Sequence, residues 1–429
     1  MPYFAALDND VRSLLRWADL RHEQGADVEA DIERLRREAQ RLEKRLRRLA
    51  GDRALAEAEP NSLRAIRAAR PRGPRRLVER IEERRLKDKI GGALLARVAG
   101  NVLGAIVEGW DVGAMREWAK YLGQAFPPQE YWKAAVQPHR LRYKTSRCED
   151  YTRPKLRHAP ADDDIAYTLL GLLILEEYGL GFTTADVAAA WLKHLPLAAT
   201  AERIALDNLR KGIPWRRCAE VDNPFVEWIG ADIRSDPWGY AAAGWPEKAA
   251  EMAYRDAYVS HRRNGVYGAM FFSAAIAAAF VVDDPAQAYK IALTEIPKDC
   301  RLAHDVRWAL HAAKRIRHWK EAREAVDKRF AGMSGVHTNN NAALTIFGTI
   351  LGRGDVTKTI GETVAMGLDN DCTAATAGSM VGAMAGASNV PRHWVRPLND
   401  TIVTYLNRRG RWKISTTIER FARVVRGWM

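Results

Sequence analysis

The sequence predicts an all-α protein, and three observations carry that expectation. No stretch alternates polar and apolar residues for long, so a parallel sheet is not expected. Several segments place apolar residues at helical spacing between recognisable start and stop signals. The apolar segments are crowded with alanine and glycine, which suits many short helices packed closely round one core. The 429 residues suffice for one large domain with an accessory segment, and 47% hydrophobic content excludes wholesale disorder.

At the N-terminus, Val28, Ile32, Leu35, Ala39, Leu42, Leu46 and Leu49 follow alternating spacings of four and three, with charges between them. That heptad pattern predicts a helix burying one narrow seam, suited to a helical hairpin or to a homodimer contact through residues 28–49. "EPNSLRAIRAARPRGPRR", residues 59–76, then interrupts with prolines and a glycine and reads as a solvent-exposed basic connector. Residues 1–76 are therefore expected to form a helical segment and connector, and residues 77–429 the main domain.

Within the main domain, "RIEERRLKDKIGGALLARVAGNVLGAIVEGW" runs from a charged helix into a small-residue helix. "DDDIAYTLLGLLILEEYG" predicts a helix ending at Gly179, a C-cap glycine. "FTTADVAAAWLKHL" opens with threonines and Asp186, a helix-start signal. "GVYGAMFFSAAIAAAFVV", residues 265–282, carries no charge over 18 residues. It is apolar all round, as a helix at the centre of a large helical domain would be, and no leucine-rich span accompanies it. No membrane association is expected.

Net charge is +14, with a pI near 9.7. Much of that excess lies on amphipathic helices, where a solvated face is its ordinary use, so nucleic acid is not the expected partner. The four cysteines form no C-x-x-C pair and the N-terminus has no secretory pattern. Neither a zinc ribbon nor a disulfide scaffold is expected, and a reducing cytoplasm fits.

Two acidic clusters sit at helix starts: Asp162-Asp163-Asp164, and Asp369 with Asp371 in "GLDNDCTAATAGSMVGAMAG". Helix capping explains either one alone. If the two acid-tipped helices pack side by side through their small residues, five carboxylates converge. Such a group is unfavourable without cations. Hard divalent ions remove that penalty, and magnesium suits sites of carboxylate and water. Glu108, ending the apolar stretch "GNVLGAIVEGW", is a third acid placed between glycines and Trp110.

At these residues the chain resembles the ADP-ribosylglycohydrolase family. "GNVLGAIVEGW" is similar to the family's early G-x-x-x-G-D-A-L-G-x-x-x-E pattern, Asp162–Ile165 to its Thr-Asp-Asp-Thr segment, and Gly367–Cys372 to its late G-x-D-T-D-T segment. "HTNNNAALTIFGTILGRGD", residues 337–355, resembles the approach to that last motif. The resemblance implies an orthogonal all-helical domain holding two Mg2+ ions, with Mn2+ an alternative. It implies metal ligands Asp162, Asp163, Asp164, Asp369 and Asp371, with Cys372 in the last ligand position and Glu108 bridging a metal to substrate or acting as base. Glu108 and Asp163 are then the candidate catalytic residues.

The implied reaction is hydrolysis of an N- or O-glycosidic bond at the anomeric carbon of a ribose, releasing ADP-ribose from a modified protein or small molecule. Asn101 stands where the family pattern has Asp, Asp162 where it has Thr, and Cys372 where it has Ser or Thr. These departures leave two alternatives, a non-catalytic metal-binding scaffold and a hydrolase of another ribosyl conjugate. For substrate, His337 and Asn341 could bind adenosine or the distal ribose, or the asparagine run could simply cap its helix. Asn264, Gly265 and Tyr267, in a Gly-x-x-Gly stretch, could approach a diphosphate, or make a tight turn into the buried helix.

Overall fold

The computed structural model describes residues 3–429. In chain order the helices are α1 (Ala5–Glu23), α2 (Glu29–Arg47), α3 (Arg53–Ala58), α4 (Leu63–Ala69), α5 (Glu83–Gly104), α6 (Val112–Tyr121), α7 (Asp163–Tyr178), α8 (Thr184–His194), α9 (Thr200–Arg210), α10 (Asp236–Ala241), α11 (Pro246–Ala257), α12 (Asn264–Ala279), α13 (Pro285–Ala292), α14 (Arg301–Ala312), α15 (Trp319–Arg329), α16 (Thr338–Gly352), α17 (Val356–Ala365), α18 (Asn370–Ala385), α19 (Arg392–Val395) and α20 (Ile414–Arg426). Among the described residues, the only strands form two short antiparallel hairpins: β1 (Leu141–Arg142) with β2 (Ser146–Arg147), and β3 (Thr401–Val403) with β4 (Arg411–Lys413). The all-α expectation holds.

The charge-free stretch forms α12, buried over its whole length. Among the described residues, one helix is long and apolar enough to cross a membrane, at residues 83–107, and 94% of its most apolar 18-residue window is buried inside the fold. It is a core helix, and it organises the site.

One face of α5 carries Gly92, Gly100 and Gly104, and α18 presents Gly378 and Gly382 to it. A Cβ at Gly100 would collide with the Ala374 carbonyl, one at Gly378 with the Ala96 carbonyl, and one at Gly104 with the Asp371 backbone. The two helices therefore run antiparallel in backbone contact. The end of α5, next to Glu108, is brought against the start of α18, next to Asp369 and Asp371.

This corrects the expected arrangement. The small-residue face of α18 packs on α5, not on α7. The start of α7 is tied to α5 by polar side chains instead. Arg97, fully buried, donates to the Asp164 carbonyl at 3.0 Å, Thr168 Oγ1 at 2.9 Å and the Ile233 carbonyl at 2.6 Å. Its remaining Nη1 lies 2.7 Å from Asp236 Oδ2, so the buried charge is paired. Gly378→Ala is expected to cost about 1–3 kcal/mol through overpacking, read as a lower urea midpoint. Gly181→Ala, whose added Cβ meets nothing within 4 Å, should leave the midpoint unchanged.

In the N-terminal segment, α1 and α2 bury no residue, and Leu42, Leu46 and Leu49 of the heptad seam are exposed. The 59–76 stretch, in contrast, is not a solvated connector. Glu59 is buried and accepts from Asn264 Nδ2, Arg263 and the Arg301 backbone N–H, and Ile66 is fully buried. Arg70 and Arg75 pair with the buried Glu295. Three of its arginines, Arg67, Arg70 and Arg75, pair with acids far along the chain, which a local reading of composition does not register.

Candidate active site and metal centre

Three helix-linked elements deliver the acids. Glu108 follows the short turn at the end of α5, Asp162 caps α7, and Asp369 occupies the N-cap position of α18. One oxygen each of Glu108, Asp369 and Asp371 lie within 4.8 Å of one another. The same is true of Asp162, Asp163 and Asp164, and of Asp164, Asp371 and Cys372. Residues 162–164 and 369–371 thus meet in space, as the cation reading requires.

Capping does not account for the second cluster. Asp369 makes no side-chain bond to the start of α18, and its buried Oδ1 has no hydrogen-bond partner. The buried Asp371 Oδ1 has none either. Asp162, by contrast, does cap its helix, accepting from the Asp164 N–H.

The electrostatics follow from crowding. Burial, reinforced by the Asp162 charge, pushes the Asp163 carboxyl well above its usual range, against a hydrogen bond from Tyr143. Burial does the same to Asp164, opposed by Arg97. Asp369 is pushed up to about 6 by burial and then by the Glu108 charge. Asp371 is raised well above its usual range by the same two causes in the same order. The Cys372 thiol is raised by burial and by Asp164, and it donates to Asp164 Oδ2 at 3.3 Å. A protonated thiol in that role orients a carboxylate; it is a poor direct partner for a hard ion.

Two residues that the sequence reading missed complete the site, and both come from the β1–β2 hairpin. Arg142 Nη1 donates to Glu108 Oε2 at 2.8 Å and to the Ala105 carbonyl at 2.6 Å. Its Nη2 donates to Asp162 Oδ2 at 3.0 Å and Asp371 Oδ2 at 3.2 Å. Tyr143 donates its hydroxyl to Asp163 Oδ1 at 2.6 Å and stacks on Tyr405. Tyr143 and Lys144 both take left-handed φ values, 48° and 56°, a turn costing about 1–2 kcal/mol per non-glycine residue. The only local signal was the stretch "LRYKTSR", and its strands of two residues are too short for an alternating pattern.

The donor set fits a divalent cation. The unpartnered buried oxygens of Asp369 and Asp371 are hard ligands; Glu108 lies within reach of both, Asp164 within reach of Asp371, and Asp163 beside Asp164. Asp162 is differently placed: Oδ1 accepts from Asn101 Nδ2 at 2.8 Å and Oδ2 from Arg142. The Asn101 side chain thus serves the cluster as a donor.

The acids open into a cavity of about 110 Å3, lined by Glu108, Tyr143, Asp163, Asp369, Asp371 and Cys372 together with Thr200, Glu202 and Trp228. The proposed substrate residues fall into two groups. Asn341 supports the site from behind: its Oδ1 accepts the Asp369 N–H, and its Nδ2 holds the Gly335 and His337 carbonyls. His337 caps α16 through Nδ1, next to the cavity-lining Val336, and burial lowers its pKa to about 4.

Asn264, Gly265 and Tyr267 are not brought to the cavity. The Asn264 amide is consumed by Glu59, Glu227 and the Leu302 N–H, and Tyr267 donates to the Pro60 carbonyl. A Cβ at Gly265 would strike the Val226 carbonyl. All three residues anchor α12 and the docked N-terminal segment.

Comparisons with known proteins agree with this architecture. A solved structure described as "ADP-ribosylglycohydrolase-related protein complex" is similar at a TM-score of 0.55 and 20% identity, covering 81% of this chain and 100% of the other. At that identity the likeness speaks for the fold. Among curated proteins there is no match. The family model of ADP-ribosylglycohydrolase matches residues 82–427, from the start of α5 through α20 and across all three acid-bearing segments, and the chain belongs to that family.

Proposed function

We propose that this protein is a divalent-cation-dependent hydrolase of a ribosyl glycosidic bond, with Mg2+ as its ion and an ADP-ribosyl group as the ribosyl donor. The observation that carries the reading is the convergence of Glu108, Asp163, Asp369 and Asp371 on one cavity, with two buried carboxylate oxygens lacking any protein partner. Asp163, Asp164, Asp369 and Asp371 would hold the cation. When bound, it would neutralise the cluster and lower the pKa of a coordinated water.

The chain's own residues supply the rest. Cleavage of the bond at the anomeric carbon develops positive charge on the ribose ring, which the surrounding carboxylates stabilise. Glu108 accepts a proton from water as the water oxygen bonds to that carbon and the bond from that carbon to the departing atom breaks, and the proton held by Glu108 then passes through solvent to the departing group. Asn341 fixes the backbone at Asp369, and Cys372 fixes the Asp164 carboxylate. The four cysteines are all free and buried, which supports a reducing compartment such as the cytoplasm.

A second reading is a non-catalytic scaffold. It is favoured by the cavity volume of about 110 Å3, below the roughly 300 Å3 of small-ligand pockets. Release assays on ADP-ribosylated arginine, ADP-ribosylated serine and ADP-ribosylated thymidine, with Mg2+ and with chelator, separate the two. Release that requires Mg2+ supports the hydrolase. No release from any substrate, with Mg2+ still bound, supports the scaffold.

A further inference from the structure

We propose that the Arg142 guanidinium is a resident cation of the acid cluster, filling a position that a divalent ion would otherwise take. While the β1–β2 hairpin is seated, the site then has room for one divalent ion fewer than the carboxylates alone would hold. The inference rests on the cation reading of the cluster given above.

Four oxygens from three separate elements converge on the guanidinium: Glu108 Oε2, the Ala105 carbonyl, Asp162 Oδ2 and Asp371 Oδ2. Carboxylates and a backbone carbonyl are the donor types a hard metal ion takes, and here they are shared between two nitrogens, the Ala105 carbonyl and Glu108 on Nη1 and Asp162 and Asp371 on Nη2. Here a planar fork of N–H groups satisfies them instead. The Arg142 side chain is only 14% exposed, and its guanidinium carbon lies 5.4 Å and 5.6 Å from the ring centres of Tyr143 and Tyr151. An arginine held on several sides in this way is a fixed part of the site.

Its hairpin is fixed as well. Ser146 Oγ accepts the Ala161 N–H at 2.9 Å, beside Asp162, and the Cys148 N–H donates to the Arg140 carbonyl. Arg142 leaves a second cation position untouched. Asp369 Oδ1 and Asp371 Oδ1 remain buried and unpartnered, and Arg142 makes no bond to Asp163, Asp164 or Asp369. The arrangement therefore combines one built-in charge with one open position.

Mn2+ titration of the full chain, counting bound ions by the loss of the free-ion electron paramagnetic resonance signal, tests this. Wild type is expected to bind one ion. R142Q, which removes the charge but keeps a polar group, is expected to bind two, with the broadened spectrum of a coupled pair. A count that does not rise from wild type to R142Q overturns the proposal, and so does a wild type that binds two. Should R142Q fail to fold, the wild-type count decides alone: one ion supports the proposal, and two ions or none overturn it. Absence of Mn2+ from both proteins overturns this proposal together with the cation reading on which it rests, whereas a count of one that does not rise in R142Q overturns this proposal alone and leaves Mg2+-dependent ribosyl release standing.

Discussion

Glu108→Gln is expected to lower kcat/KM for ribosyl release by about 10²- to 10⁴-fold, the usual contribution of a positioned general base. The fold should survive. Its side chain is 42% exposed, and its protein partner is the Arg142 guanidinium, which can equally donate to a glutamine carbonyl. The turn that presents it is set by the backbone: Gly109 has a φ of 72° and donates its N–H to the Leu368 carbonyl. Steady-state kinetics beside a thermal melt check both halves. A near wild-type rate would remove Glu108 from the chemistry.

Asp369→Asn is expected to act with opposite signs on the metal-free and metal-loaded protein. Asp369 is buried and its carboxyl is pushed up to about 6 from 3.8. That rise corresponds to about 3 kcal/mol of unfavourable environment for the ionised form. Neutralising the side chain should raise the melting temperature in chelator. It should also abolish most of the stabilisation that Mg2+ gives the wild type, because a ligand oxygen and its charge are lost.

The pH dependence follows from the same shift. Between about 4 and 6 the folded metal-free protein binds a proton at Asp369 that the unfolded chain has released. The stability contributed there is present at low pH and lost as pH rises through about 6. Mg2+ must displace that proton. The gap between melting temperatures with and without Mg2+ should widen as pH rises through about 6 in wild type and stay nearly flat in Asp369→Asn. Differential scanning fluorimetry across pH reads both effects. A gap in the variant as wide as that in wild type would exclude Asp369 as a ligand.

The fold class and the acids were legible because their signals are local. Helical periodicity, the threonines opening α8 and the glycine-rich faces of α5 and α18 need only neighbouring residues to be read. Asp162–Asp164 and Asp369–Asp371 stood out because like charges at helix starts demand a partner. Tertiary context decided the remainder. The Gly-x-x-Gly stretch became an anchor for α12 once Glu59 and Pro60 docked on it, and no local feature at residues 264–267 announces that.

By itself, the sequence determined an all-helical chain with acid-tipped helices and close backbone packing, since propensity, periodicity and charge repulsion act over a few residues. Only the tertiary structure decided that α18 lies against α5 rather than α7, and that Arg142 enters the cluster. Arg142 meets an aspartate 229 positions away in sequence, on a chain with 67 lysines and arginines. Its role comes from long-range convergence of backbone and side chains in space, which residue spacing does not encode.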